Sequence, residues 1–253
     1  MLLSTAPEAA QAAGALSPEA RRRFLTDGCL LWENAVDGAD LERLEGIYDR
    51  CFDPATPGVR LKPLGGEDAG GRQLLPQVLF PSQTFPELRE LALFERFRAA
   101  AAEIFQTPVV FRSEHMILKP AGYGVATPWH QDQAYHDPAL DYRQINFWVP
   151  LQDATVESGC MQFVPGSHRG PVLPHEYLRE GRDDTALVAQ DQGYWSANGV
   201  ALPCPRGGCT LHHSTMLHYA GPNTTGRARR AYILVFGVEP TRRARPWTFP
   251  WRE

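Results

Sequence analysis

The chain has 253 residues, of which 43% are hydrophobic and 21% charged, with a formal net charge of −4. These figures belong to an ordinary globular chain, long enough for one well-filled core, and exclude disorder. The longest apolar runs, such as Tyr232 to Val238, fall far short of the roughly 20 residues a membrane helix needs, and an acidic balance gives nucleic acid no concentrated basic face.

Met1-Leu2-Leu3-Ser4 and the alanine-rich stretch after it lack the basic start and sustained apolar core of a secretory signal, so a cytoplasmic protein is expected. Ser17-Pro18-Glu19 reads as an N-cap, a first-turn proline and an acid near the positive helix end, which predicts a helix from about Pro18 to Thr26, ended by Asp27-Gly28. Cys29 to Trp32 reads as a short buried strand. Leu41, Leu44, Ile47 and Tyr48 at helical spacing predict a second helix over Asp40 to Tyr48. Glycine and proline from Asp53 to Arg72 predict a long loop of the kind that forms lids, and Pro86 to Phe105 reads as one longer helix.

After Thr107 the texture changes to short β-rich runs punctuated by glycine and proline. They are Val109 to Phe111, His115 to Leu118, Ile145 to Leu151, Met161 to Val164 and Tyr232 to Phe236. The expected fold is mainly β with flanking α-helices, a double-sheet barrel or jelly roll, in a single domain over 1–253. Its helical part would span about 17–106 and its β core about 107–240. Five cysteines (Cys29, Cys51, Cys160, Cys204, Cys209), an odd number without a dense framework, read as free thiols in a reducing compartment. The Arg242-Arg243-Ala244-Arg245 tail reads as a solvated end.

The chemistry concentrates in Pro128-Trp129-His130-Gln131-Asp132-Gln133. On an extended segment residues two apart share a side, so His130 and Asp132 can converge on one ion while Gln131 points elsewhere. An imidazole and a carboxylate supply two corners of a two-His-one-carboxylate facial triad, which leaves positions open on iron(II). His218 is the best third ligand, because it precedes Tyr219-Ala220-Gly221-Pro222-Asn223 and stands eleven residues before Arg229. His213 competes for that role and otherwise reads as structural or ligand-orienting. A guanidinium at Arg229 suits the far carboxylate of a keto diacid as a bidentate pair, and Arg230, facing the other way on a strand, is its alternative.

Four ordered motifs then carry a family resemblance over roughly Pro108 to Val238. They are His130-Gln131-Asp132, Trp148-Val149-Pro150-Leu151, Gly159 through Pro165-Gly166-Ser167-His168, and His218 through Arg229. The sequence resembles the phytanoyl-CoA dioxygenase family of Fe(II)- and 2-oxoglutarate-dependent oxygenases. The resemblance implies a double-stranded β-helix of cupin-like kind, with iron(II), 2-oxoglutarate as cosubstrate and dioxygen. It implies a dioxygenase that hydroxylates a small-molecule substrate, with release of succinate and carbon dioxide. Carried over residue by residue, it makes His130, Asp132 and His218 the metal ligands, Arg229 the partner of the cosubstrate carboxylate, and Trp148, Gln131 and Met116 further cosubstrate contacts. Ala220 departs from the pattern, since many relatives place a serine there.

Rival readings are a halogenase, disfavoured because Asp132 fills the position halide needs, a non-catalytic β-barrel binding protein, and a cupin-like metalloenzyme that does not use 2-oxoglutarate. Arg229 would have no purpose in the last. The partners expected are a small-molecule substrate, with no nucleic acid and no membrane. The segments Asp53–Arg72, Ala134–Arg143 and Gly170–Pro203 are the candidate substrate walls.

Overall fold

The structure is a computed structural model that describes residues 16–178 and 186–252. The N-terminal stretch read above for a secretory signal lies largely outside the described residues.

Local rules place the helices. The Ser17 hydroxyl accepts a hydrogen bond from the Ala20 backbone at 3.0 Å and caps α1 (Pro18–Asp27), while Gly28, left-handed at φ 81°, closes it. Only glycine fits there, because a Cβ on Gly28 would stand 2.2 Å from Nδ1 of His168. The strand β1 (Cys29–Trp32) follows, and Asp37 caps α2 (Gly38–Phe52), which buries Leu41, Leu44, Ile47 and Tyr48 as its periodicity requires. The helix expected over Pro86–Phe105 is two elements, a 3-10 turn (Pro86–Glu90) and α3 (Ala92–Phe105), separated by an extended Leu91. The break has a tertiary cause: the carboxylate of Asp40 on α2 accepts from the Leu93 backbone at 2.8 Å, supplying the cap that α3's own sequence lacks.

The remaining strands run β2 (Leu61–Pro63), β3 (Pro76–Leu79), β4 (Val110–Lys119), β5 (Thr127–His130), β6 (Leu140–Asp141), β7 (Gln144–Pro150) and β8 (Met161–Phe163). Next come β9 (His175–Tyr177), β10 (Leu187–Ala189), a short helix α4 (Gln192–Asn198), β11 (Val200–Leu202), β12 (Cys209–His213), β13 (His218–Ala220), β14 (Arg229–Gly237) and β15 (Thr241–Arg242). Among the described residues a large sheet has the order β1-β12-β7-β14-β4-β3-β2 and a small one β11-β8-β13-β5, with antiparallel neighbours throughout. This is the expected jelly roll with helices outside.

Three expectations change in detail. The 53–72 loop contains β2, which pairs with β3 at the sheet edge. The runs at 109–111 and 115–118 are one ten-residue strand, β4, whose register against β14 shifts between Val235 and Phe236 and leaves Arg112 as the extra residue. The 170–203 segment contains β9, β10, α4 and β11 rather than loop alone.

The large sheet divides the interior in two. Along β14, Tyr232, Leu234 and Phe236 join the core shared with the helices, while Ala231, Ile233 and Val235 face the space between the sheets. Period two sets this division, and it decides which polar side chains reach the site.

Candidate active site between the sheets

A cavity of about 90 Å³ lies between the sheets, and His130, Asp132, His218, Trp148 and Arg229 all line it. Backbone irregularity brings the first two there. His218 pairs with His130 but Ala220 pairs with Thr127, so β5 spends one residue more than β13 over that step. The bulge turns both Thr127 and His130 into the cavity and sends Trp129 outward. There Trp129 stacks on Tyr219, with ring centroids 5.3 Å apart, and its indole donates to Ser196 at 3.0 Å. Asp132 opens a 3-10 turn (Asp132–Tyr135) after an extended Gln131, so the chain bends directly behind the carboxylate.

The three candidate ligand atoms lie within 4.8 Å of one another. Nε2 of His130 is 3.5 Å and Nε2 of His218 is 3.7 Å from Oδ1 of Asp132. Bonds of about 2.1 Å to one ion put neighbouring ligands about 3 Å apart, so a small inward movement completes the sphere. Both imidazoles are held the same way. Nδ1 of His130 lies 2.8 Å from the carbonyl of Pro128 and Nδ1 of His218 lies 2.9 Å from that of Met216, each two residues upstream. A carbonyl accepts only, so Nδ1 carries the proton and Nε2 offers its lone pair to the cavity.

The electrostatics agree. Burial, with His130 and His212 nearby, holds His218 well below the usual imidazole value and therefore neutral. Burial would raise the Asp132 carboxyl, but His218, His130 and His212 together hold it well below the usual range. A neutral imidazole and an ionised carboxylate are the forms a metal takes.

Arg229 is the second pole. It is 1% exposed, and its Nε and Nη1 atoms have no hydrogen-bond partner. Burial lowers it to about 10, which leaves it cationic at neutral pH. Its guanidinium carbon lies 5.3 Å from the Trp148 ring centroid. Its strand neighbour Lys119 donates from Nζ to the carbonyls of Ala220, at 2.8 Å, and Gly221. The lysine thereby shores the end of β13. Arg230 faces the helices, where it pairs with Asp49 at 3.1 Å. A buried cation without an acid is costly unless an anion joins it. The residues therefore fit both groups: His130, Asp132 and His218 a divalent metal, Arg229 a carboxylate.

Two expected cosubstrate contacts are not brought into this cavity. Gln131 is 1% exposed and bolts loops together, accepting from Leu173 at 2.8 Å and donating to Thr215 at 2.8 Å and Pro171 at 3.2 Å. Met116 faces the helix-side core, because on β4 the inward positions are His115 and Ile117. The histidine pair likewise resolves by register. His213 bonds Thr215 at 2.9 Å outside the cavity, whereas His212 lines it, 3.4 Å from Oδ2 of Asp132. His212, His115 and Asn146, to which the sequence assigned no role, also line the cavity. The signal for His212 was the apolar pair Cys209 and Leu211, which assigns the helix-facing side of β12 to odd numbers.

Fold and site together define a class: oxidoreductases that hold iron inside a double-stranded β-helix and use 2-oxoglutarate as cosubstrate. Within it the chain belongs to the phytanoyl-CoA dioxygenase (PhyH) family, whose sequence profile matches residues 24–231. It is 32% identical over 133 residues to mouse (Mus musculus) phytanoyl-CoA dioxygenase domain-containing protein 1, covering 51% of this chain and 45% of that protein. The chain thus spans less than half the length of the first curated relatives it matches. EvdO2 from Micromonospora carbonacea var. aurantiaca, crystallised with 2-oxoglutarate, superposes with a TM-score of 0.83 at 37% identity, over 96% of this chain and 99% of EvdO2. The epimerase SnoN, crystallised with Fe3+, alpha ketoglutarate and nogalamycin RO, shares the fold at 22% identity, with a TM-score of 0.70 over 92% of this chain and 96% of SnoN. The expected iron and 2-oxoglutarate agree with what these proteins hold.

Proposed function

We propose that this chain is an Fe(II)- and 2-oxoglutarate-dependent dioxygenase acting as one domain, in which His130, Asp132 and His218 hold the metal and Arg229 holds the cosubstrate. The reaction proposed is hydroxylation of a small-molecule substrate, with release of succinate and carbon dioxide. One observation carries the reading: three ligand atoms within 4.8 Å share a cavity with a buried, unpartnered guanidinium. A cupin-like metalloenzyme without a keto acid would leave that guanidinium without a counter-charge, and an inert barrel would leave two carbonyl-oriented imidazoles without a task.

Iron with bound 2-oxoglutarate supplies oxygen activation at the expense of the keto acid. The chain's residues do the rest by placement. His130 and His218 present Nε2 because their Nδ1 protons are committed to Pro128 and Met216. Arg229 meets the far carboxylate of a five-carbon diacid, with Trp148 against the guanidinium and Ile117, Ile233 and Met161 lining the cavity. These apolar walls exclude water from the reacting centre.

For substrate, the reading is a small metabolite reached through the open side of the cavity. The fold also houses the epimerase SnoN, so the outcome is set by the site rather than by the fold. A cytoplasmic location is supported by five unpaired, buried cysteines, and among the described residues no helix is long and apolar enough to cross a membrane.

The test is anaerobic iron(II) and 2-oxoglutarate titration, followed by a metabolite screen that scores succinate and hydroxylated product. Wild type is expected to bind one ion per chain and to make succinate only with 2-oxoglutarate, and Asp132→Ala and His218→Ala to abolish turnover with the fold retained. Near-normal turnover in either variant would sink the ligand assignment, and a rearranged product without added oxygen would replace hydroxylation.

A further inference from the structure

Asp132 is gripped from one side only. Asn146, on β7, donates from Nδ2 to its Oδ2 at 2.8 Å. His212, the cross-strand register partner of Asn146 on β12, stands with Nε2 3.4 Å from the same oxygen. Oδ1 faces the other way, toward Nε2 of His130 and of His218.

His212 has no other task. It is 3% exposed, and neither ring nitrogen has a hydrogen-bond partner. Its ring packs 4.3 Å from that of His218 and 5.4 Å from that of Phe163, where an aromatic hydrocarbon would pack as well. Leaving a buried polar group unpaired is costly, so an imidazole here needs a reason that packing does not give. Its Nε2 faces one acceptor closely, Oδ2 of Asp132 at 3.4 Å.

We infer that His212 and Asn146 are positioning residues that jointly hold Oδ2 of Asp132, so that the carboxylate meets the metal through Oδ1 alone. The inference rests on the reading of Asp132 as a metal ligand. A free carboxylate can bind an ion through both oxygens and take two coordination positions. Two N–H donors on Oδ2 forbid that mode, and the spared position remains for the cosubstrate or oxygen. The neutral imidazole suffices, with its proton on Nε2.

Cobalt(II) titration of the whole chain under argon, read by its visible absorption, tests this without turnover. The variants are Asp132→Ala, His212→Phe, His212→Gln and Asn146→Leu, each checked by circular dichroism and thermal melting. Ligands that lose an outer hydrogen-bond partner typically lose about 10- to 100-fold in metal affinity. His212→Phe and Asn146→Leu are each expected to weaken cobalt binding by about that factor and to change the absorption bands as the carboxylate turns. His212→Gln, which restores an N–H donor, is expected to stay within about threefold of wild type. If Asp132→Ala abolishes binding while His212→Phe and Asn146→Leu keep wild-type affinity and spectrum, the positioning role is wrong. A glutamine no better than phenylalanine reduces His212 to packing and overturns its part. Unchanged binding in Asp132→Ala overturns the ligand reading itself. Should His212→Phe fail to fold, Asn146→Leu and His212→Gln decide the matter.

Discussion

Arg229→Ala is the most informative single change, because the residue distinguishes a keto-acid user from every other owner of the same three ligands. The guanidinium is 1% exposed with Nε and Nη1 unpartnered, so a far carboxylate entering the cavity replaces its lost hydration with charge-assisted bonds. Without Arg229 that carboxylate is buried alone, and breaking a buried pair from one side costs about 3 to 5 kcal/mol. Since 1.4 kcal/mol is a factor of ten, 2-oxoglutarate affinity should fall by at least about a hundredfold. Anaerobic calorimetry with metal present measures this directly, with metal affinity itself expected to change little. A second signature is opposite in sign: the protein without cosubstrate should melt no lower, and with Arg229→Met higher, because an uncompensated buried charge has been removed. Arg230→Ala should leave affinity within about threefold, since that side chain pairs with Asp49 on the helix side. A silent Arg229→Ala, or an equal loss from Arg230→Ala, would refute the assignment.

Met116→Leu should leave 2-oxoglutarate affinity unchanged and cost less than about 1.5 kcal/mol in a urea titration, because the residue packs in the helix-side core; a clear affinity loss would put it back in the cavity. Gly28→Ala meets both a left-handed backbone and the His168 ring, and should lower the melting midpoint by at least about 3 °C in calorimetry, whereas an unchanged midpoint would mean that His168 moves freely. Burial pushes Cys29 and Cys51 up to about 12 and Cys160 up to about 11. Thiols in the unfolded chain ionise near 8.5, so their contribution is fully present below that pH and is lost as pH rises toward 11 to 12. Urea midpoints under reducing conditions should therefore fall from pH 8 to pH 10 by an amount that shrinks in Cys29→Ala, and a flat profile would show the thiols to be solvated.

The sequence made the architecture and the three ligand candidates legible because both rest on local patterns: short β runs, capped helices, and an H-x-D step whose two side chains share a direction. What it left hidden depends on partners far along the chain. Leu91 breaks a helix because Asp40 caps the next one from α2. β4 reads as two runs because the polar stretch Arg112 to Glu114 interrupts an apolar pattern that a bulge keeps in register. On the strands of the site the differences are of one kind, a face assigned one residue out. Met116 was expected where His115 and Ile117 stand, and the ligand-orienting part offered to His213 falls to His212. Family motifs locate such residues along the chain, but only pairing across the sheet fixes which neighbour turns inward.

The same pairing explains why the site is ready for its metal. Gln131 is spent on holding the segments at Pro171, Leu173 and Thr215 together, and so it fixes the bend between the His130 and Asp132 side chains. The two histidines owe their orientation to carbonyls two residues upstream, those of Pro128 and Met216. Polar atoms devoted to structure are thus satisfied within the protein. Buried groups without partners occur elsewhere too, at Gln133 and Trp247, so an orphaned atom alone marks nothing. What singles out Arg229 and His212 is convergence: both line the cavity that holds the ligand triad, one where a diacid would end and the other behind the carboxylate. Their unmet hydrogen-bonding capacity has the same direction as the chemistry proposed: a cosubstrate carboxylate would satisfy Arg229, and Oδ2 of Asp132 stands ready for His212.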